Sequence, residues 1–388
     1  MKREKITHSV VAIMLIVELA FSAEAQNVSM QSHRVSDSRS QETRGATPPA
    51  FGGFGTTITQ QLSSNVADFP AVSTAPGITF SYDPGTQLFA RSSTSLGPVF
   101  VERARTIGKG KFELGASYLF IDFTQLDGKN VDGFSLGPRV GGSGGSIVIE
   151  KFSLQQHIIP IFATYGITDR WDVNLLVPII DSSFKARVSV GFGGRQFVFA
   201  GESNGFGVGD IFLRTKYRLF GFNQFNVAVG STIRFPSGNE DKLRSKGDFI
   251  IEPFLAASQE YDRFHLHLAS GLEVNIDDSD RSRVRYSGGV AFDIFRQQLA
   301  LTLDLIGSSS LKTDRVIGAV PSFGGGPPGV PSLPSRFVTP INTNIIDLGV
   351  GLKGSIGPFT GFFTAFLPIT DDGLRADWIP AVGVQMGF

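Results

Sequence analysis

Side chains able to do chemistry concentrate between residues 249 and 295. An extended chain turning at Asp262 and Arg263 sets Glu252 opposite Glu273, and the next pairing sets Arg285 opposite Glu273 and Asp293 opposite His265. Two facing carboxylates repel unless a cation lies near, so Arg285 is the expected counter-ion. His265 and His267 share a face about 7 Å apart, which suits a metal ion, yet no third ligand accompanies them and no metal is expected. Alternation points His267 to one face and Ser270 to the other, so they cannot form a hydrolytic pair. The stretches "GGSGG" and "GFGVGD" lack the Lys-Ser/Thr ending of a phosphate loop and read as connections. No catalytic residue and no cofactor follows. A basic stripe of Arg214, Lys216 and Arg218, with Asp347 and Lys353 further on, completes the set of charges to be explained.

These residues must be positioned by strands. Beyond Gly110 the chain runs in segments of about 10 to 15 residues, many alternating apolar and polar. Twelve are expected: 112–123, 148–166, 171–187, 208–219, 224–235, 249–261, 264–276, 283–295, 298–309, 344–356, 359–369 and 377–388. Leu299, Leu301, Leu303 and Leu305 oppose Gln298, Thr302 and Asp304, and Ile346, Leu348, Val350 and Leu352 oppose Asp347 and Lys353. The charged candidates thus gather on one face. Short connections such as "ITDR", "FGFN" and "YDRF" alternate with long ones near 124–147, 188–207, 236–248 and 310–343, the layout of an antiparallel barrel in a membrane. Trp378 and Phe388, ten residues apart on one face, span roughly 25 Å along the membrane normal, one aromatic residue at each rim. Segments 148–166 and 359–369 fit less cleanly: they are apolar on both faces and put Phe362 and Phe366 where a wet interior is expected. Either the register slips there or the interior has an apolar patch.

The start of the chain fits export. Lys2, Arg3 and Lys5 precede an apolar run, and Ala23-Glu24-Ala25 supplies the small residues of a cleavage site, so residues 1–25 read as a signal peptide. There is no cysteine, which excludes thiolate metal sites and cysteine nucleophiles, and 35 basic residues balance 35 acidic ones, which gives no reason to expect nucleic acid as a partner. Residues 26–110 are rich in Ser, Thr, Gly and Pro; "SDSRSQETRGATPP" reads as disordered, and "GITFSYDPGTQLFARSS" as a hairpin within 78–91, a candidate plug. The prolines and glycines of "PSFGGGPPGVPSLP" place a constriction or an external loop in 310–343.

The stretches "YGITDRWDVNLLVPI" and "RARTIGKGKFELGASYLF" resemble outer-membrane proteins of the meta-pathway phenol degradation-like, transporter family. The resemblance implies a barrel and passage of small organic compounds, and it carries no binding residue onto this chain.

The expectation is an all-β, antiparallel up-and-down transmembrane barrel over 111–388, in the outer membrane, with a lipid bilayer, a small-molecule solute and, through its C-terminal strand, the barrel-assembly machinery as partners. Its function is that of a channel or transporter for small organic or hydrophobic molecules. The alternatives are a structural or surface-interaction barrel with a sealed lumen and an outer-membrane lipid hydrolase. Glu252, His265, His267, Glu273, Arg285, Asp293, Arg214, Lys216, Arg218, Asp347 and Lys353 are its lumen-lining candidates; the plainer alternative is that inward charges only cross-link strands and hold water.

Overall fold

Apolar residues recurring at every second position fit a pleated surface that buries one face differently from the other, and here they form long strands. The computed structural model describes residues 69–74, 80–83, 88–91, 96–126, 128–133, 135–140, 145–192, 195–295, 298–312, 314–317, 337–340 and 344–388. The signal-peptide stretch 1–25, "SDSRSQETRGATPP" and "PSFGGGPPGVPSLP" lie outside the described residues.

Twelve strands make the wall: β1 (Phe112–Leu126), β2 (Gly145–Thr168), β3 (Trp171–Phe192), β4 (Ile211–Phe222), β5 (Phe225–Phe235), β6 (Ile250–Glu260), β7 (Phe264–Asn275), β8 (Arg283–Phe295), β9 (Leu299–Ser310), β10 (Asn344–Ile356), β11 (Phe359–Pro368) and β12 (Ile379–Gly387). Each pairs antiparallel with its sequence neighbours, and β12 returns to β1 from Ala381↔Leu119 to Gly387↔Glu113. The ring is closed, which is what lets strand backbone face hydrocarbon with its polar groups paired. Phe112 and Phe388 complete the seam, each donating its backbone N–H to the other's carbonyl at 2.7 and 2.8 Å, with their rings 5.5 Å apart.

Leu266, Leu268, Leu301, Leu303, Leu305, Val382 and Val384 all project outward, as do Trp378 and Phe388 at the two ends of the last span. The wall is uneven in height. Strand β12 has 9 residues and β11 has 10, whereas β2 has 24 and β3 has 22. The upper part of β3 pairs with a further strand, Arg195–Val208, which runs into β4 through Gly209 and Asp210. Outward charges begin there, with Lys185–Glu202 at 3.7 Å and Arg187–Glu150 at 2.7 Å, so this side rises past the lipid-facing band.

Several expected loops are therefore partly strand. The 188–207 connection is mostly the Arg195–Val208 strand, disguised by glycine and polar residues that a strand above the lipid tolerates on both faces. Within 124–147, β1 continues to Leu126 and Ser135–Val140 pairs with β2. In 310–343, Asp314–Ile317 pairs with Phe337–Pro340. The hairpin expected within 78–91 is present as Phe80–Asp83 paired to Leu88–Arg91.

The register of the doubtful strands does not slip: Phe362 and Phe366 point inward and are buried. The interior has two unlike walls. Strands β1, β2, β3 and β11 present Leu119, Ile121, Phe123, Leu154, Ile158, Phe162, Leu176, Ile180, Phe362 and Phe366, and β12 adds Ala381. Strands β4 to β10 present mainly charges, histidines, hydroxyls and small residues, with Phe212, Ile250, Phe254 and Ile306 as the larger apolar exceptions. Glycines seat the rings of the apolar wall: a Cβ on Gly115 would fall 2.3 Å from Phe162 Cζ, and one on Gly383 2.4 Å from Phe362 Cζ.

Candidate functional site

The lumen is crossed by two stretches of the N-terminal segment, 69–74 and 96–107, and the inward charges of the polar wall are their anchors. On β10, Lys353 Nζ donates to the Leu96 carbonyl at 2.6 Å. On β9, Asp304 Oδ2 accepts the N–H groups of Val99 and Phe100 at 3.3 and 3.1 Å. On β4, Lys216 Nζ meets Glu102 Oε1 at 2.7 Å and the Arg103 carbonyl at 2.8 Å, and Arg214 donates to the Val72 carbonyl at 2.8 Å. Glu260 on β6 takes Arg103 at 3.3 Å and Arg105 at 3.2 Å, and Asp172 on β3 accepts Ile107 N–H at 3.0 Å. A buried charge needs a partner of opposite sign or several hydrogen bonds, and here wall and segment supply each other's.

The segment's apolar side chains complete the fit. Phe100 packs edge-on against Phe366 and Phe362, with centroids 4.8 and 5.7 Å apart. Val72 and Val99 are fully buried in the same cluster. Each wall of the barrel thus has a matching face on the segment.

Above it, the connection 236–249 folds over the lumen. Asp210 fixes its base, holding Arg234 at 2.8 Å and accepting the backbone N–H of Lys246 and Gly238. Its tip reaches strands β2 and β3, where Gln156 on β2 donates to the Leu243 carbonyl at 2.9 Å and Ser182 on β3 to that of Lys242 at 2.7 Å. Leu243 is buried in the apolar cluster. Burial pushes the Glu240 carboxyl above its ordinary pKa against the opposing charge of Arg281.

Beside this loop an outer cavity of about 90 Å³ lies between Phe69, Pro70, Ile121, Phe123, Ile306 and Ile345 on its apolar side, with Arg285, Ser308, Asp347 and Arg375 as its polar groups. Arg375, on a short strand that pairs with β1, reaches across to Asp347 on β10.

The sequence-derived residues separate into groups. Arg214, Lys216 and Lys353 hold the lumenal segment directly; His267 does so through Ser258, whose Oγ lies 2.7 Å from His267 Nδ1 and accepts Ala104 N–H at 2.9 Å. Glu252, Glu273 and Arg285 do meet, with Arg285–Glu273 at 3.0 Å and Arg285–Glu252 at 3.9 Å, but Glu273 also binds Lys246 at 2.9 Å. The expected register between β7 and β8 is off by two residues: Glu273 pairs with Arg283 and His265 with Ala291. A 3-10 turn at Ser279–Arg281, capped by Asp278, sets where the connection closes. An even shift keeps every side chain on its face, so Arg285 still reaches Glu273 diagonally and His265 still meets Asp293 at 3.3 Å. Arg218 sits near the short turn between β2 and β3, donating to the Asp169 carbonyl at 3.2 Å. Among the described residues no group of three or more His, Cys, Asp or Glu converges on a metal position.

Sequence reasoning missed Glu102, Arg103, Asp304 and Glu260 as anchors, and Leu243, Lys246 and Arg375 at the outer end. Leu243 had a signal, a lone large apolar residue in "GNEDKLRSKGD".

Residues 137–309 match the family model described as "Putative MetA-pathway of phenol degradation", in keeping with the resemblance carried by the sequence motifs. No match was found among curated proteins. Among solved structures the chain is similar to an outer membrane channel from Pseudomonas putida F1, at 12% identity over 74% of this chain and 98% of that one, with a TM-score of 0.47. It is also similar to the P. putida toluene transporter TodX (10% identity, 73% and 90% covered, TM-score 0.35) and to the CymD monoaromatic hydrocarbon channel (9%, 72% and 89%, 0.35).

Proposed function

We propose that this chain is an outer-membrane channel through which small organic, largely apolar molecules pass by diffusion, with the stretches 69–74 and 96–107 acting as a plug. The observation that carries this reading is the two-walled interior. A solvent-filled general pore has no use for a continuous inner surface of Leu119, Ile121, Phe123, Phe162, Phe362 and Phe366, whereas an apolar solute entering from the outer cavity would slide along it. The polar wall serves the plug, which must be released or shifted for passage. Export through the signal peptide, and delivery to the assembly machinery by a C-terminal strand ending in Phe388, belong to the same proposal.

A sealed barrel is the second reading, favoured by the density of bonds between wall and plug. Planar-bilayer recordings separate the two. A channel should show discrete steps once residues 26–105 are deleted, and liposomes holding that variant should take up small aromatic solutes. A sealed barrel shows neither.

A further inference from the structure

The outer cavity combines an apolar body with one neutral hydroxyl that nothing holds. Ser308 lies on the inward face of β9, on the same side of the strand as Asp304 and Ile306, and only 8% of its surface is exposed. Among the described residues its Oγ has no hydrogen-bond partner, yet that atom keeps accessible surface, and the residue lines the cavity. The Arg375 Nε, also unpaired, is closed off from that space. A serine hydroxyl can donate one hydrogen bond and accept two, and a buried one left unpaired is destabilising, so a guest oxygen that meets it removes that cost. A pure hydrocarbon filling the cavity does not.

The rest of the lining decides what that oxygen belongs to. Phe69 and Pro70 come from the plug, Phe123 from β1, and Ile306 and Ile345 from β9 and the start of β10, so the body of the guest must be apolar. The charged groups at the edge already face opposite charges: Arg375 meets Asp347, and Arg285 lies 3.0 Å from Glu273. A carboxylate or an amine entering here would have to compete with one of those pairs, whereas a neutral oxygen leaves both intact. The volume, about 90 Å³, is below the roughly 150 Å³ of an apolar cavity that admits benzene, so the guest is one small ring or a chain of a few carbons.

We propose that this cavity binds a small, uncharged molecule with an apolar body and a single hydroxyl or carbonyl oxygen, that oxygen on Ser308 Oγ and the body between Phe69, Phe123, Ile306 and Ile345. The proposal rests on the channel reading and narrows its solutes from apolar molecules in general to singly oxygenated ones that pause against the plug.

Titration calorimetry of the full mature chain in detergent, corrected for titration into detergent alone, tests it with cyclopentanol and cyclopentane as matched guests. Ser308→Ala removes only the hydroxyl, and the loss of one neutral hydrogen bond should weaken cyclopentanol by about fivefold while leaving cyclopentane within about twofold. Ile306→Phe, which fills the cavity, should abolish binding of both. Heat-modifiable migration on gels confirms that each variant is folded. A cyclopentanol affinity indifferent to Ser308→Ala, an equal loss of both guests in that variant, or unchanged binding to Ile306→Phe overturns the proposal. If neither guest binds the parent while the plug-deleted barrel still takes up aromatic solutes, the Ser308 site fails alone; if uptake fails too, the channel reading falls with it.

Discussion

Asp304 Oδ2 accepts the backbone N–H of Phe100 at 3.1 Å, joining the middle of β9 to a residue more than two hundred positions earlier in the chain. The bond sits at the meeting of the two walls, since the Phe100 ring packs on Phe366 of the apolar wall, on β11 two strands from β9. A hydrogen bond to a charged group contributes about 1.5–3 kcal/mol, and Asp304 makes two, with Val99 as the second donor. Asp304→Ala should therefore loosen the plug without opening the barrel. The expected result is faster proteolysis within residues 96–107 and raised open probability in bilayer recordings; a variant as protease-resistant and silent as the parent would show that this anchor does not hold the plug.

A steric route reaches the same end. Gly289 on β8 faces inward, and a Cβ there would stand 2.9 Å from Asp304 Oδ1 and from Val101 Cγ2 and 3.0 Å from Pro98 Cβ, so it crowds both the anchor and the segment the anchor holds. Gly289→Leu leaves the backbone ladder of β8 intact and pushes the plug away. Conductance should rise as for Asp304→Ala, and the double variant should add little, because both act on one contact. Recordings that match the parent would mean that the plug is not what closes the lumen.

These variants mark the limit of what could be read from the chain alone. The twelve spans were legible because lipid on one side and a filled interior on the other impose a two-residue period, as in Leu299 to Leu305 against Thr302 and Asp304. The inward side of the charged candidates was legible for the same reason, and it survived a register error between β7 and β8 because the error was even. The meetings of Arg285 with Glu252 and Glu273 and of His265 with Asp293 were legible from strand pairing, but which inward charge meets the lumenal segment was not. Lys216 and Lys353 find theirs in Glu102 and Leu96, residues of a segment without strand periodicity, and nothing in a two-residue period reports on a chain threaded through the lumen. Phe362 and Phe366 looked like faults in the pattern until Phe100 covered them.

The loop over the mouth is held at its tip by one apolar side chain and two carbonyl contacts. Leu243→Ala removes a buried leucine, a change that costs about 2–5 kcal/mol in a packed core, here drawn from the docking of the loop and not from the wall. Externally added protease on intact cells should then cut within 236–249, while the barrel's heat-modifiable migration stays unchanged. Resistance equal to that of the parent would mean that Gln156 and Ser182 suffice to hold the loop closed.

Leu303 and Asp304 are neighbours in sequence with opposite surroundings, and a charge tests each. Leu303 projects outward from the middle of β9, flanked by Val290 on β8 and Val350 on β10. Its side chain is exposed in the protein alone because acyl chains are its solvent. An arginine near the midplane of the lipid face costs about 2–4 kcal/mol, falling toward zero at the interfaces. Leu303→Arg should therefore destabilise the barrel by that amount in denaturant refolding into lipid vesicles. Trp378→Arg, at the rim, should cost less than about 1 kcal/mol in the same assay. Equal effects at the two positions would remove the lipid-facing band, because only a slab of hydrocarbon makes the penalty depend on height along the strand.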